Sequence, residues 1–279
     1  MHNDGRSALD MTKTGPKTAD WWRTSELGNR ILSAIAMLAI VLAASAVGGF
    51  VFALVCVALS SLLFFEWHRM VSRTAFDTTE ILLSVGFAGL MVGALFGFFW
   101  LALLAFLALG LVLEVTSEGI EREDVRWIGF GALYCSVLAW ALPLIRADMG
   151  FVFLLFLFLV VWATDVGAYF AGRRFGGAKL MPSVSPNKTW SGALGGVSVA
   201  AVIAVLFGLF APGFAVWVAV ICAVVLSCIS QVGDLFESWV KRLYGVKDTG
   251  GLIPGHGGFL DRVDGLVFAA LPVALVVAL

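Results

Sequence analysis

The chain has 279 residues, enough for one or two soluble domains, but 61% of them are hydrophobic and only 13% are charged. Soluble domains average about 45–50% apolar and about 25% charged residues, so this chain has too little polar surface to cover its apolar side chains. A freely soluble enzyme, a disordered chain and a secreted disulfide scaffold are excluded, the last also because the four cysteines lie within apolar runs. The composition predicts an all-α, polytopic integral membrane protein.

The first segment, residues 1–29, is polar and basic, and we expect it to be flexible. The first apolar run begins near Ile31, too late for the short core of a cleaved signal peptide, and it is also too long. A helix needs about 20 residues to cross about 30 Å of hydrocarbon, so the apolar runs of this chain predict about nine transmembrane helices. They cover residues 30–47, 49–67, 81–98, 99–115, 127–146, 150–171, 192–210, 213–233 and 260–279.

The distribution of basic residues gives the orientation of these spans. With nine spans and a cytoplasmic N-terminus, 17 of the 18 Lys and Arg residues fall on the cytoplasmic side and only Arg146 falls outside, in agreement with the positive-inside rule. The count depends most on the division of 81–115 into two spans around Phe96-Gly97-Phe98. A single span there would move every later loop to the opposite side.

The two halves of the chain differ in character. Residues 30–148 contain apolar helices joined by plain connections, whereas residues 149–279 contain carboxylates at the ends of spans and two long polar loops, 172–191 and 238–260. We therefore predict that the C-terminal half is the catalytic region and that both loops are cytoplasmic. No internal repeat is visible in the sequence, so an inverted-repeat transporter receives no support.

Four carboxylates lie near the ends of the last two spans, where charged groups need an explanation because they cost about 2.5–3.5 kcal/mol at a helix centre. Asp234 and Glu237 follow the eighth apolar run, and Asp261 and Asp264 begin the ninth. Each pair is three residues apart, which puts both carboxylates on one face of a helix. Such a pocket suits Mg²⁺, which binds one or two carboxylates plus substrate phosphates. The plainer alternative is that these residues cap helices or pair with neighbouring cations.

Both polar loops have the composition of anion-binding segments. The segment after the eighth span combines Lys241, Arg242 and Lys247 with glycines whose backbone can approach a ligand closely. Backbone N–H groups ahead of a helix bind anions, so this segment, beside the carboxylates, has what a nucleoside triphosphate with Mg²⁺ requires. The loop 172–191 adds Lys188 together with hydroxyl and amide groups, although a basic loop of this kind could equally contact anionic lipids.

Residues 238–264 carry a specific pattern, namely Ser238-x-Val240-Lys241-Arg242, Lys247-Asp248-x-Gly250, Ile253-Pro254-x-His256-Gly257-Gly258-Phe259 and Asp261-Arg262-Val263-Asp264. This pattern resembles the signature of the phosphatidate cytidylyltransferases, also called CDP-diacylglycerol synthases. Residues 165–173, 185–190 and 233–238 are similar to further segments of that family, so the close match covers about 165–264. One departure is Ser191, which stands where the family often has Glu.

The resemblance implies a helical membrane enzyme, often dimeric, that converts CTP and phosphatidate into CDP-diacylglycerol and pyrophosphate with Mg²⁺, a step of phospholipid biosynthesis. Whether a second cation, monovalent or divalent, takes part is left open. We expect a multi-pass protein of the inner membrane whose active site faces the cytoplasm. We expect no nucleic-acid partner.

The resemblance also implies roles for individual residues. Asp234, Asp261 and Asp264 are expected to hold the metal, and with Lys241 they form the expected catalytic set. The expected contacts to nucleotide or lipid phosphate, including two residues that order the glycine-rich loop (Asp248 and His256), are Ser185, Asn187, Lys188, Arg242, Lys247, Asp248, His256, Gly257 and Gly258.

Three other interpretations remain at this stage. A transporter of an anionic solute would also carry intramembrane acids, but it predicts charges near mid-bilayer on several helices rather than at one face. A cytidylyltransferase acting on another lipid, such as an ether-linked one, is poorly separated by sequence because contacts to lipid tails are diffuse. A non-catalytic membrane scaffold would not need this set of acids and bases. Asp165 also has two interpretations, as a residue that orients the site or as a partner of a basic residue such as Arg173.

Overall fold

A computed structural model describes residues 35–71, 78–116, 122–211, 215–249 and 258–279 of the chain. Within these ranges lie nine α-helices and one short β-hairpin. The elements in chain order are α1 (Ile35–Val47), α2 (Gly49–Val71), α3 (Thr78–Leu95), α4 (Phe99–Thr116), α5 (Arg122–Asp148), α6 (Gly150–Phe175), β1 (Lys179–Met181), β2 (Ser185–Thr189), α7 (Trp190–Phe210), α8 (Val216–Leu243) and α9 (Leu260–Ala278). Each helix coincides with one predicted span, and the predicted basic segment 1–29 lies outside the described residues.

Five of the described helices, α2, α5, α6, α7 and α8, have the length and apolar composition needed to cross a membrane. The chain is therefore a helical membrane-spanning protein, as its composition predicts. The apolar parts of α1, α3 and α4 are shorter within the described ranges. The total of nine spans and the cytoplasmic position of the N-terminus stay predictions.

The chain turns between helices at glycines with positive φ, a conformation that residues with a side chain rarely adopt. Gly48 and Gly49, with φ of 72° and 55°, separate α1 from α2, and Gly97, with φ of 81°, lies between α3 and α4. Two helices therefore occupy 81–115, divided where the sequence predicts. They pack antiparallel, and a Cβ built on Gly93 of α3 would lie 2.3 Å from Cβ of Ala102 in α4.

Arg146, the one basic residue outside the predicted cytoplasmic side, has a structural role. It lies in the last turn of α5. Its Nε donates to the carbonyl oxygen of Ser45 at 2.6 Å and its Nη2 to that of Ala46 at 3.2 Å. The last carbonyls of a helix have no partner within the helix and carry partial negative charge. Arg146 therefore caps α1 and ties α5 to it.

Glycines and other small residues bring α6 and α7 very close together. A Cβ at Gly192 would lie 2.9 Å from the carbonyl oxygen of Ala168, and a Cβ at Gly196 would lie 2.8 Å from that of Thr164. Small residues allow this approach between membrane helices. The hydroxyl of Thr164 also donates to Oγ of Ser227 in α8 at 2.8 Å, which adds α8 to the same bundle.

The loop 172–191 contains a hairpin that the sequence analysis did not predict. β1 and β2 pair antiparallel, with Lys179 opposite Thr189 and Met181 opposite Ser185. The second strand leads directly into α7, where the Thr189 hydroxyl accepts from the backbone N–H of Gly192 at 3.1 Å and caps the helix. The polar side chains of this loop are therefore held on a defined backbone.

The packed core is continuous across the predicted boundary at residue 148. Trp67 of α2 is fully buried, and its Nε1 donates to the carbonyl oxygen of Trp127 in α5 at 2.8 Å. Trp127 contacts Trp239 of α8, with 5.7 Å between ring centroids, and Tyr134 of α5 contacts Phe268 of α9 at 6.1 Å. The N-terminal helices α2 and α5 thus pack directly on the helices that carry the predicted site.

Candidate active site

The contact between α8 and α9 brings predicted acidic residues together. A Cβ on Gly233 of α8 would lie 2.9 Å from the carbonyl oxygen of Asp264 in α9. Gly265 of α9 lies against α8 in the same way, since its Cβ would be 3.2 Å from the carbonyl oxygen of Ser230. Because the two backbones touch at glycines, the residues next to those glycines, Asp234 and Asp264, share one small space.

Three carboxylates form a compact group at this helix contact. One oxygen from each of Asp234, Glu237 and Asp264 lies within 4.8 Å of the other two. Glu237 is only 1% exposed and lies one turn beyond Asp234 on α8. The exposed Asp165 of α6 is near enough to interact electrostatically with Asp234 and Asp264. We call Asp234, Glu237 and Asp264 the acidic cluster.

Two lysines and a further carboxylate complete the charged site. Lys188 of β2 forms an ion pair with Asp234 at 2.5 Å. Lys241, 8% exposed, places its Nζ 2.8 Å from an oxygen of Glu237 and 2.8 Å from an oxygen of Asp261. With Asp165, five carboxylates thus surround two ammonium groups at one end of the bundle. This excess of negative charge is costly when it is removed from water without a compensating cation.

An unpaired buried oxygen supports a cation at this point. Oε2 of Glu237 contacts Lys241, but its Oε1 is buried and has no hydrogen-bond partner within the described part of the chain. A buried polar atom left without a partner costs about 1–3 kcal/mol, and more when it is charged. The ligand atoms offered by the acidic cluster are all carboxylate oxygens, which hard divalent cations prefer. The acidic cluster therefore fits a divalent metal ion.

The residues predicted to hold the metal are not all in this cluster. Asp234 and Asp264 belong to it, and its third member is Glu237. Asp261 instead contacts Lys241 and accepts a hydrogen bond from the backbone N–H of Gly258 at 3.3 Å. A metal role for Asp261 stays a prediction. Its observed contacts are those of a residue that holds Lys241 and the start of α9.

Other predicted substrate-binding residues lie on the hairpin and at the end of α8. Ser185 is half-buried and Asn187 is exposed, both on β2. Arg242 donates from Nε to the carbonyl oxygen of Val184 at 3.2 Å and from Nη1 to that of Val246 at 3.0 Å. The guanidinium of Arg242 thus fastens the hairpin beside the end of α8, which keeps both predicted phosphate-binding segments together.

The remaining predicted substrate residues belong to the segment between α8 and α9. Lys247 and Asp248 are exposed just after α8. Gly258 lies two residues before the start of α9, where its backbone N–H donates to the carboxylate of Asp261. His256 and Gly257 lie outside the described residues. Their expected roles in ordering the loop and contacting substrate stay predictions.

The sequence leaves the roles of Ser191 and Asp165 undecided, and the structure gives both residues defined neighbours. The hydroxyl of Ser191 donates to the carbonyl oxygen of Gly176, so this departure from the family pattern closes the base of the hairpin. Asp165 interacts electrostatically with Lys188, whereas Arg173 donates to the hydroxyl of Tyr169 at 2.9 Å. These contacts favour a role of Asp165 at the charged site over a pair with Arg173.

Glu66 of α2 lies beside the site although the sequence analysis did not select it. The side chain is 1% exposed, and its two oxygens accept from the backbone N–H groups of Phe259 at 2.9 Å and Leu260 at 2.8 Å. Its Oε2 also accepts from the Thr249 hydroxyl at 3.3 Å. A carboxylate is stabilised at a helix N-terminus, so Glu66 caps α9. The sequence does contain a signal that could have identified Glu66, because it is a glutamate inside an apolar span, where charged residues are rare.

Comparison with known proteins identifies the class to which this arrangement belongs. Residues 28–279 match the model of the cytidylyltransferase family, and the chain is a member of that family. Relatives from Brucella suis and Brucella abortus are 41% identical over 253 residues, which cover 88% of this chain and 91% of each relative. A relative from Staphylococcus saprophyticus is 42% identical over 146 residues, 52% of this chain and 53% of its own. All three bear the name phosphatidate cytidylyltransferase, and the resemblance seen in the sequence is confirmed.

Proposed function

We propose that this protein is a phosphatidate cytidylyltransferase, which transfers a cytidylyl group from CTP to phosphatidate and releases pyrophosphate in phospholipid biosynthesis. The observation that carries this proposal is the acidic cluster between α8 and α9, with two lysines beside it and hairpin residues next to it. Two polyanionic substrates can meet only where their charges are neutralised, and this end of the bundle offers both cations and metal ligands. Membership of the cytidylyltransferase family supports the same reaction.

The acidic cluster is the proposed site of Mg²⁺, held by Asp234, Glu237 and Asp264, and the number of cations is left open. A magnesium ion bound there would supply positive charge against the phosphate oxygens. Lys188 already neutralises Asp234, so ligand binding would compete with this ion pair or rearrange it. Asp261, next to Glu237, is a second carboxylate that orients Lys241.

The chain's own cations have the second task, which is to bind and orient the reacting phosphates. Lys241, Arg242 and Lys247 are proposed to bind the triphosphate, while Ser185, Asn187 and Lys188 on the hairpin contact nucleotide or lipid phosphate. An oxygen of the lipid phosphate forms the new bond to the α-phosphorus of CTP, and the bond to the β-phosphate oxygen breaks with its electrons leaving on pyrophosphate. The attacking phosphate is largely ionised at neutral pH, so no general base is required and positioning dominates.

The proposed enzyme acts at the cytoplasmic face of the inner membrane. Support comes from the basic residues, 17 of 18 of which share one side in the predicted topology. The charged site is built from side chains of the C-terminal halves of α6 and α8, the first five residues of α9 and the hairpin. A homodimer stays a prediction from the family resemblance.

Asp264→Asn in purified, detergent-solubilised protein tests this proposal. We expect kcat/KM for pyrophosphate release from CTP and phosphatidate to fall at least about 100-fold, the size of effect seen when one preorganised charge-stabilising group is removed. Asp148→Asn at the far end of α5 is the matched control and should stay within twofold of wild type. Activity of Asp264→Asn within a few-fold of wild type would contradict the metal assignment.

A substrate panel separates the proposal from its rivals. Four nucleoside triphosphates are combined with several phospholipids, including an ether-linked phosphatidate, and pyrophosphate release is measured without a vesicle gradient. The proposal expects pyrophosphate release with CTP and phosphatidate. A transporter or a scaffold would release no pyrophosphate with any pair of substrates. A strong preference for a different lipid would identify a cytidylyltransferase that acts on that lipid instead.

A further inference from the structure

A cleft between α4, α5 and α9 lies near the acidic cluster and has no role in the proposed phosphate chemistry. It has a volume of about 330 Å³ and lies among aromatic and aliphatic side chains. Trp100, Leu271 and Leu275 on its rim are 53%, 39% and 44% exposed, so the cleft opens on the side of the bundle. Six of its lining residues are Phe99, Trp100, Tyr134, Val137, Phe268 and Leu271.

The cleft and the charged site follow one another along one face of α9. Phe268, Leu271 and Leu275 line the cleft and follow Asp264 by four, seven and eleven residues, the spacing of a single helix face. Phe268 also packs on the backbone of Gly233, the residue before Asp234. A ligand bound at the acidic cluster would therefore have this apolar cleft beyond Phe268 on the same helix face.

The length of this face matches one leaflet of a bilayer. Eleven residues of helix span about 16 Å at about 1.5 Å per residue, and half of a hydrocarbon core of about 30 Å is about 15 Å. Aromatic rings line the far part of the cleft, where Trp140 stacks on Phe99 with 5.2 Å between centroids. A chain entering beside Asp264 would end at this stack.

Tyr134 provides a polar group at the end of the cleft that is near the charged site. The residue is 6% exposed, and its hydroxyl is buried without a hydrogen-bond partner among the described residues. It lines the cleft and interacts electrostatically with Asp264, Glu237 and Asp234, so it lies near both the cleft and the acidic cluster. A buried hydroxyl left unpaired is costly, and a ligand that offers an acceptor oxygen here would satisfy it.

We infer that the cleft binds one acyl chain of the lipid substrate and that the Tyr134 hydroxyl donates to the ester carbonyl oxygen of that chain. This inference rests on the proposed function, because it takes phosphatidate as the lipid whose phosphate lies at the acidic cluster. An acylated glycerol phosphate has the required order of groups: an anion, then an ester acceptor, then a hydrocarbon chain. The cleft therefore positions the attacking phosphate by holding the tail behind it.

The first test compares dioctanoyl and dipalmitoyl phosphatidate with CTP in detergent micelles. Leu275→Trp fills the far end of the cleft, which a sixteen-carbon chain reaches and an eight-carbon chain does not. We expect the ratio of kcat/KM for the long substrate to kcat/KM for the short one to fall at least tenfold. Val202→Trp, at an exposed position of α7 outside the cleft, is the matched control and should leave this ratio within twofold of wild type.

The second test addresses the ester contact. Tyr134→Phe should raise KM for phosphatidate about 3- to 10-fold, the effect of one lost hydrogen bond. With a dialkyl ether analogue, which has no ester carbonyl, wild type and Tyr134→Phe should have the same KM. An equal loss for ester and ether lipids would overturn the contact, because it would reflect a structural role of the hydroxyl.

An unchanged substrate ratio in Leu275→Trp would overturn the acyl-chain site, whether activity is kept or falls equally with both substrates. If the oligomeric state also changed, the cleft would be assigned to contact between two copies of the chain. Failure of the proposed function is distinguishable, because wild-type protein would then release no pyrophosphate with either lipid, before any variant is compared.

Discussion

Glu66→Gln is the perturbation that most directly tests how the N-terminal half of the chain supports the site. In the structure, each of the two oxygens of Glu66 accepts a hydrogen bond from one backbone N–H at the start of α9, those of Phe259 and Leu260. A glutamine offers one oxygen and one NH₂ group. Whichever way the amide turns, one backbone donor loses its acceptor and faces another donor in a buried position.

The size of the effect follows from this loss. A hydrogen bond to a charged group contributes about 1.5–3 kcal/mol, and each 1.36 kcal/mol corresponds to a factor of ten in rate. The start of α9 carries Asp261 and Asp264. These two carboxylates can keep their positions in the site only if the start of the helix stays folded. We expect kcat/KM to fall by about 10- to 150-fold in Glu66→Gln. Thr249→Val removes only the longer hydroxyl contact of 3.3 Å and should cost about threefold or less.

The assay combines activity with local stability. Pyrophosphate release gives kcat/KM, and hydrogen exchange at the amides of Phe259 and Leu260 reports opening of the first turn of α9. Ser61→Ala on the same helix is the control, since the exposed Ser61 hydroxyl donates to the carbonyl oxygen of Val57 within α2. Glu66→Gln activity within threefold of wild type, with unchanged exchange at both amides, would refute the reasoning.

Two further predictions concern helix contact and metal. Gly233→Ala should lower kcat/KM at least tenfold in the pyrophosphate assay, because its Cβ would lie 2.8 Å from Phe268 and force α8 away from α9; Gly110→Ala, where a Cβ meets nothing within 4 Å, should keep wild-type activity. Removal of divalent ions with EDTA should abolish pyrophosphate release, and Mg²⁺ should restore it. Full activity after exhaustive chelation would argue against the metal site.

Much of the helical architecture was predictable because it depends on local properties. The length of an apolar run sets whether a helix can cross a bilayer, and glycines such as Gly48 and Gly97 mark turns that other residues rarely allow. The described helices accordingly coincide with the predicted spans, and the division at Gly97 agrees with the sequence. The hairpin at 179–189 was not predicted because its strands are only three and five residues long.

The candidate site was predictable only in part. The three-residue spacings on α8 and α9 identified the carboxylates that carry the charge, and the family pattern identified the basic residues around them. Spacing along one helix could not decide which carboxylates of two helices would meet. That depends on where the backbones touch, and the contact of Gly233 with Asp264 selects Asp234, Glu237 and Asp264 while Asp261 turns to Lys241.

The sequence by itself determined that this is a helical membrane protein of the cytidylyltransferase family with carboxylates at the ends of its last two spans, because hydrophobic run length, charge placement and motif spacing are properties of the chain before it folds. Only the tertiary structure decided that Glu66 caps α9 from 193 residues away and that an apolar cleft lined by Tyr134 runs along α9. Such contacts depend on helix packing, and packing is set by side-chain shape at positions that are distant in the sequence.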